Sequence, residues 1–113
     1  MLTMMERTID DVTILDLSGS IRLGEEEATL REKVKSLLAA GRTKILLNLE
    51  QVDYIDSSGI GALVYSFTTA RTHGGHLKLL NLSQRVHDVL TLTKLLSVFE
   101  EFKDEDEAVK SFA

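Results

Sequence analysis

Lys44-Ile45-Leu46-Leu47-Asn48-Leu49, a short polar connection, and then Asp56-Ser57-Ser58-Gly59-Ile60-Gly61 decide how this chain is read. The first run is nearly continuous in apolar residues. A strand covered on both faces has this composition, which points to a parallel strand lying between helices. The second run opens a helical pattern over Ile60 to Ala70, with Ile60, Leu63, Val64 and Phe67 on one stripe. A pair of hydroxyls beside an acid therefore falls where a strand turns into a helix. The first turn of a helix carries N–H groups without carbonyl partners and favours negative charge. A serine in that place can be a cap, a nucleophile or a phosphorylation site, and the rest of the chain has to decide.

On the N-terminal side, Met4 to Ile9 and Val12 to Ser18 read as short strands around Asp10-Asp11, a pair suited to a tight hairpin turn. Gly19 to Gly24 reads as a loop. Glu25 to Ala40 reads as a helix, because Leu30, Val34, Leu37 and Leu38 share one face and Glu25, Glu26 and Glu27 crowd its positive end. Glu27 stands four residues before Arg31, the spacing of a helical ion pair, and Gly41 stands where a left-handed C-terminal residue belongs. On the C-terminal side, the helix from Ser57 runs to Thr72 and Gly74-Gly75 ends it. Leu77 to Leu82 is another buried strand, and Ser83 caps a helix through Thr93 with Val86, Val89 and Leu90 inward. Ser97 to Phe102 reads as a last short strand. Asp104 to Phe112 reads as a terminal helix with Ala108, Val109 and Phe112 on one side. Helices alternating with buried strands define an α/β fold with right-handed crossovers, and the opening hairpin makes the sheet mixed. One domain over residues 1–113 is expected, with four helices packed on the sheet.

Composition narrows the function. A net charge of −5 without a long basic run argues against nucleic acid or an anionic membrane as the main partner. There is no cysteine, hence no disulfide framework and no thiolate metal site, which fits a cytoplasmic setting. No apolar run is long enough to span a bilayer, and Met1 to Asp10 lacks a signal-peptide core.

Catalysis finds little footing. His73 and His76 flank Gly74-Gly75 at the far end of the helix that Ser57 opens. That helix spans roughly 24 Å at 1.5 Å per residue, too far for either to serve Ser57 as a base. His87 sits beside Asp88 on the third helix and reads as a surface residue or a partial cap. The G-x-S-x-G elbow is absent. The acidic runs Glu25 to Glu27 and Asp104 to Glu107 begin helices, so the dipole explains them without a metal ion. No lysine follows Gly59-x-Gly61 as in a phosphate-binding loop, so nucleotide binding stays a minor reading and no cofactor is expected. What is left is a serine whose own modification is the function, against a serine that merely caps its helix. A phosphate on Ser57 would add about −1.5 to −2 of charge, and the free N–H groups of the first turn could hold it without unfolding the domain.

The stretch Val52-Asp53-Tyr54-Ile55-Asp56-Ser57-Ser58-Gly59-Ile60-Gly61-Ala62-Leu63, preceded by Ile45 to Leu49, resembles the central signature of STAS domains. It is most similar to that of the bacterial anti-sigma factor antagonists. Leu17-Ser18-Gly19, Gly74-Gly75 and the Ser83 helix extend the resemblance over nearly the whole chain. The resemblance implies a single domain with a mixed sheet and packed helices, and a regulatory binding module rather than an enzyme. In that family the unphosphorylated antagonist binds an anti-sigma factor that is itself a serine kinase with an ATP site, and a sigma factor is released. Phosphorylation by the kinase breaks the complex, and a PP2C-type phosphatase restores the serine. Carried onto this chain, the acceptor is Ser57, with Ser58 second, and Asp56 and Gly59 shape the turn around it. Partner contacts fall on Ser20, Arg22, Ser57, Ser58, Ile60 and Gly61. Many members carry an acid in the loop after the second strand; here Arg22 stands near that place. A STAS scaffold or ligand-sensing module without a phosphoswitch is the alternative. The exposed helix faces leave room for self-association.

Overall fold

The computed structural model describes residues 1–113. Asp10 and Asp11 have φ of 47° and 62°, the left-handed pair of a two-residue hairpin turn, so Ile9 faces Val12 directly. This joins β1 (Leu2–Ile9) to an antiparallel β2 (Val12–Ile21). Then come α1 (Glu25–Ala39), β3 (Lys44–Ile55), α2 (Ser57–Thr72), β4 (His76–Leu80) and α3 (Gln84–Leu92). A single 3-10 turn (Leu96–Val98), β5 (Glu101–Phe102) and α4 (Glu105–Lys110) complete the chain. The sheet order is β1-β2-β3-β4-β5, antiparallel only at β1–β2 and parallel elsewhere. The mixed α/β sheet with four helices matches the expectation from the sequence.

Alternation along the strands feeds two cores of unequal size. Ile45, Leu47 and Leu49 of β3 join Leu15 and Leu17 of β2 beneath α1, α2 and α3. Leu46 points the other way, to a smaller cluster with Val12, Ile14, Leu80, Ala108, Val109 and Phe112, closed by α4. Each fully buried aliphatic side chain contributes about 1.5–3 kcal/mol, so the helical face carries most of the hydrophobic stabilisation. The stripe expected on α2 is buried at Ile60 and Leu63, while Val64 and Phe67 are half-buried against the same core.

Three expected boundaries are corrected. The second strand continues past Ser18 to Ile21, because the parallel register with β3 resumes after irregularities at Asp16/Ser18 and Gly19/Ser20. The loop therefore shrinks to Arg22–Gly24. The polar connection after Leu49 is also strand. β4 pairs only with Lys44–Asn48, so β3 overhangs it, and Glu50, Gln51, Asp53 and Tyr54 emerge into solvent while Val52 and Ile55 stay buried. That exposure gave the overhang its loop-like composition. Finally, Ser97–Phe102 is a helical turn followed by a two-residue strand, since β5 pairs with β4 only at Leu79 and Leu80.

Charge fastens the smaller face. Arg7 of β1 donates to Asp16 from Nε at 2.7 Å and to Glu105 of α4 from Nη1 at 3.0 Å. Buried Lys78 donates to the Ser111 carbonyl at 2.9 Å and hydroxyl at 3.0 Å, beneath Phe112. The Arg7 hydrogen bonds hold the Asp16 and Glu105 carboxyls below their usual range, against the opposing effect of burial. An unfolded chain, whose carboxyls titrate near 4, then binds more protons than the folded one, so this stabilisation is complete above that range and is lost as pH falls through the lowered values. Thermal melting followed from pH 7 to pH 3 is expected to show a falling midpoint below about pH 4.5. Arg7→Met should melt lower at neutral pH and lose less on acidification.

Candidate functional site

Asp56, not Ser57, is the N-cap of α2. Its backbone is extended, its Oδ1 accepts the Gly59 N–H at 2.9 Å, and its carbonyl accepts the Ile60 N–H at 3.0 Å. The other carboxylate oxygen reaches across the turn and accepts the Leu23 N–H at 3.0 Å. Donation from Gly59, then Leu23, holds the Asp56 carboxyl below the usual carboxylate range. The reading of Ser57 as a simple cap is thereby corrected, because the acid before it already fills that place. Ser57 is the first residue of the helix and exposed; Ser58 is half-buried; neither hydroxyl has a hydrogen-bond partner.

A second carboxylate holds the loop from the opposite side. Glu26 accepts the Arg22 N–H at 3.0 Å and the Ser20 hydroxyl at 2.8 Å. The consecutive N–H groups of Arg22 and Leu23 are thus taken by acids on two different helices. This leaves the side chains of Arg22 and Leu23 facing solvent beside the first turn of α2. Glu26 was read from sequence only as a dipole-favouring acid. Its role as a loop clamp depends on the fold of β2 against α1, which local spacing does not encode. The Glu27–Arg31 pair on the same helix forms as its spacing implies, at 2.7 Å.

The two glycines of the turn do different work. A Cβ on Gly59 would fall on the Ile21 carbonyl oxygen and the Ile55 side chain, so only glycine lets α2 approach the ends of β2 and β3 this closely. A Cβ on Gly61 would meet only the end of Arg31 at 3.3 Å. Of the residues singled out for partner contact, Arg22 and Ser57 are exposed and Ser58 and Gly61 half-buried. Ser20 and Ile60 are 3% and 5% exposed, so they support the face from beneath. The structure also brings in Tyr54 at the end of β3 and Arg85 in the first turn of α3, which sequence reasoning did not place here. Arg22 and Arg85 lie 4.8 Å and 4.7 Å from the centre of the Tyr54 ring.

The histidines stay away from this turn. His73 closes the opposite end of α2, with Nδ1 2.9 Å from the Thr69 carbonyl, and His76 begins β4. His87 lies within α3, 3.8 Å from Asp88. No three His, Cys, Asp or Glu side chains converge as a metal ion would require. No helix is long and apolar enough to cross a membrane.

Sheet, helices and clamped turn define a small α/β domain that presents an unengaged serine at the mouth of a helix. The STAS domain family model matches residues 3–108. A 71-residue stretch is 37% identical to the anti-sigma-B factor antagonist of Bacillus subtilis strain 168, covering 63% of this chain and 64% of that protein. The anti-sigma-B factor antagonist of Listeria monocytogenes is 32% identical over 81 residues, 68% of this chain and 71% of that one. The crystal structure of a candidate anti-sigma factor antagonist from Thermotoga maritima superposes with a TM-score of 0.87 at 27% identity, covering 96% of this chain and 93% of its own. The chain belongs to the STAS domain family, among its bacterial anti-sigma factor antagonist members.

The clamp and the glycines make separable predictions. Asp56→Ala is expected to destabilise the fold by about 1 kcal/mol through loss of the cap. Asp56→Asn should lose less, since its amide oxygen can still serve one of the two N–H groups. Gly59→Ala should cost about 1–3 kcal/mol by overpacking. Gly61→Ala should instead stabilise by about 0.5–1 kcal/mol, because a helical glycine is replaced with little obstruction. Urea denaturation midpoints of the four variants check all of these, and a stabilising Gly59→Ala would refute the close-approach account.

Proposed function

We propose that this chain is an anti-sigma factor antagonist that works as a phosphorylation-controlled partner switch, with no catalysis of its own. The observation that carries the reading is the unengaged Ser57 hydroxyl. The helix takes its cap from Asp56, so the serine is free to be modified without removing a structural hydrogen bond. In its unmodified form the turn and the start of α2 dock on an anti-sigma factor that is a serine kinase, and the sigma factor is released. Phosphoryl transfer to Ser57 ends the complex, and a PP2C-type phosphatase resets it. The similarity to anti-sigma-B factor antagonists supports the partner class.

Phosphorylation can break the complex without breaking the domain for an electrostatic reason. A dianion on Ser57 stands at the positive end of α2, where the first turn tolerates it. It also stands beside the Asp56 carboxylate, so the local field turns sharply negative. A partner that buried this turn would have to desolvate both charges, which is costly without matching cations. Ser58 has the same chemistry but is less accessible, which makes it the second choice.

Incubation with the host's anti-sigma factor kinases and ATP, followed by mass spectrometric mapping, is expected to place one phosphate on Ser57 and none on Ser57→Ala. Ser57→Asp should bind the kinase at least tenfold more weakly than wild type, about 1.4 kcal/mol, by calorimetry. Full phosphorylation of Ser57→Ala would move the acceptor elsewhere. Undiminished binding by Ser57→Asp, with no phosphate on the protein from its host, would leave a scaffold without a phosphoswitch.

A further inference from the structure

We propose that Arg22, Tyr54 and Arg85 form a cationic anchor that receives carboxylates from an acidic surface of the protein docked over Ser57. The inference rests on that docking face and names the chemistry its partner must present. Three elements of separate origin meet here: the loop after β2, the end of β3 and the first turn of α3. Both guanidiniums lie within 4.8 Å of the one tyrosine ring. Neither guanidinium donates a hydrogen bond, and neither stands in an ion pair. Arg7, Arg31 and Arg42 each meet a carboxylate, and Arg71 rests alone on Phe67, so only at Tyr54 do two unpaired guanidiniums share a ring. In a chain of net charge −5, two guanidiniums without a carboxylate partner that share one tyrosine ring form a local cationic site.

Their placement serves the fold poorly. Arg85 lies in the first turn of α3, which has no acidic residue there, so a cation faces the positive end of the helix. Natural proteins break such local rules chiefly at functional sites and compensate elsewhere, as the Tyr54 ring does here for Arg85. The anchor is nevertheless held firmly. Glu26 and Asp56 fix the backbone of Arg22 and Leu23. Ser83 fixes the start of α3 by donating to the Val52 carbonyl at 2.6 Å and accepting the Val86 N–H at 3.3 Å. Tyrosine and arginine are the residues enriched where protein interfaces concentrate their energy. The exposed side chain of Leu23 adds an apolar neighbour. A guanidinium stacked on a ring keeps its N–H fork free for bidentate pairing with a carboxylate. Nucleic acid fits less well, because binding it rests on many phosphate contacts spread along a basic stripe that this acidic chain lacks.

Charge substitution tests the anchor. In calorimetry with the host kinase that phosphorylates Ser57, Arg22→Glu with Arg85→Glu is expected to weaken binding roughly 30-fold. Arg22→Gln and Arg85→Gln singly should each weaken it roughly fivefold, with circular dichroism unchanged. Tyr54→Phe should bind within about twofold of wild type, whereas Tyr54→Ala should not, because the ring organises the guanidiniums and the hydroxyl does not. Lys110→Glu, on α4 at the opposite face of the sheet, should leave binding unchanged. A partner-independent probe is a hexaglutamate peptide at low ionic strength, which should move the Arg22 and Arg85 Nε–H resonances of the labelled chain. Should the double Glu variant bind as wild type while Ser57→Asp binds weakly, the anchor is wrong and the phosphoswitch stands. Should both bind as wild type, the docking face itself is misplaced and both readings fall. Silent arginine resonances with hexaglutamate, or tighter arginine-dependent binding of an octathymidylate, would also overturn the acidic-partner assignment.

Discussion

One carboxylate holds the face of this molecule together. Asp56 bonds simultaneously to the first turn of its own helix and to a loop thirty-three positions earlier in the chain. A neutral acceptor could satisfy one of those N–H groups but would not be drawn as strongly to both. The charge also sits at the helix end that favours it, so capping, dipole and loop tethering act in the same direction. Glu26 repeats the arrangement from α1, and the loop between β2 and α1 is pinned between two anions. A short connection that would otherwise fray becomes a fixed platform. The adjacent serine is released from structural duty as a consequence.

The sheet sets where that platform can be. β2 and β3 run parallel to the same end of the molecule, so the loop after β2, the end of β3 and the start of α2 are brought together by topology. The absence of a side chain on Gly59 lets α2 begin directly against Ile21. The thick core under α1, α2 and α3 makes this half rigid, whereas the opposite face depends on one short helix, the smaller apolar cluster and the charges of Arg7 and Lys78. The clamped turn is therefore mounted on the half of the domain with the larger hydrophobic stabilisation.

The sequence carried much of this in local patterns. The apolar run at Ile45 to Leu49 announced a two-sided strand, Ser83 and Gly41 punctuated their helices, and Asp10-Asp11 marked the hairpin. Each of these signals lies within a few residues of what it specifies. The errors fell where distant segments decide. Glu50 to Tyr54 looked like a loop because β4 stops short and leaves that strand in water. Ser57 offered itself as a cap in one dimension, but Asp56 occupies the cap in three. Tyr54 and Arg85 carried no mark of belonging with Arg22, since thirty-odd residues separate each from the next along the chain and only the sheet makes them neighbours.

The unmatched length of β3 has a bearing on solubility. A strand segment that outruns its neighbour exposes backbone groups able to template pairing with another chain. Here the hydroxyl of Ser83 occupies the Val52 carbonyl, and α3 begins at that point. One side chain thus plugs the bare margin while also starting a helix. The overhanging strand is in this way shielded, at that margin, from the indiscriminate zippering that leads to fibres.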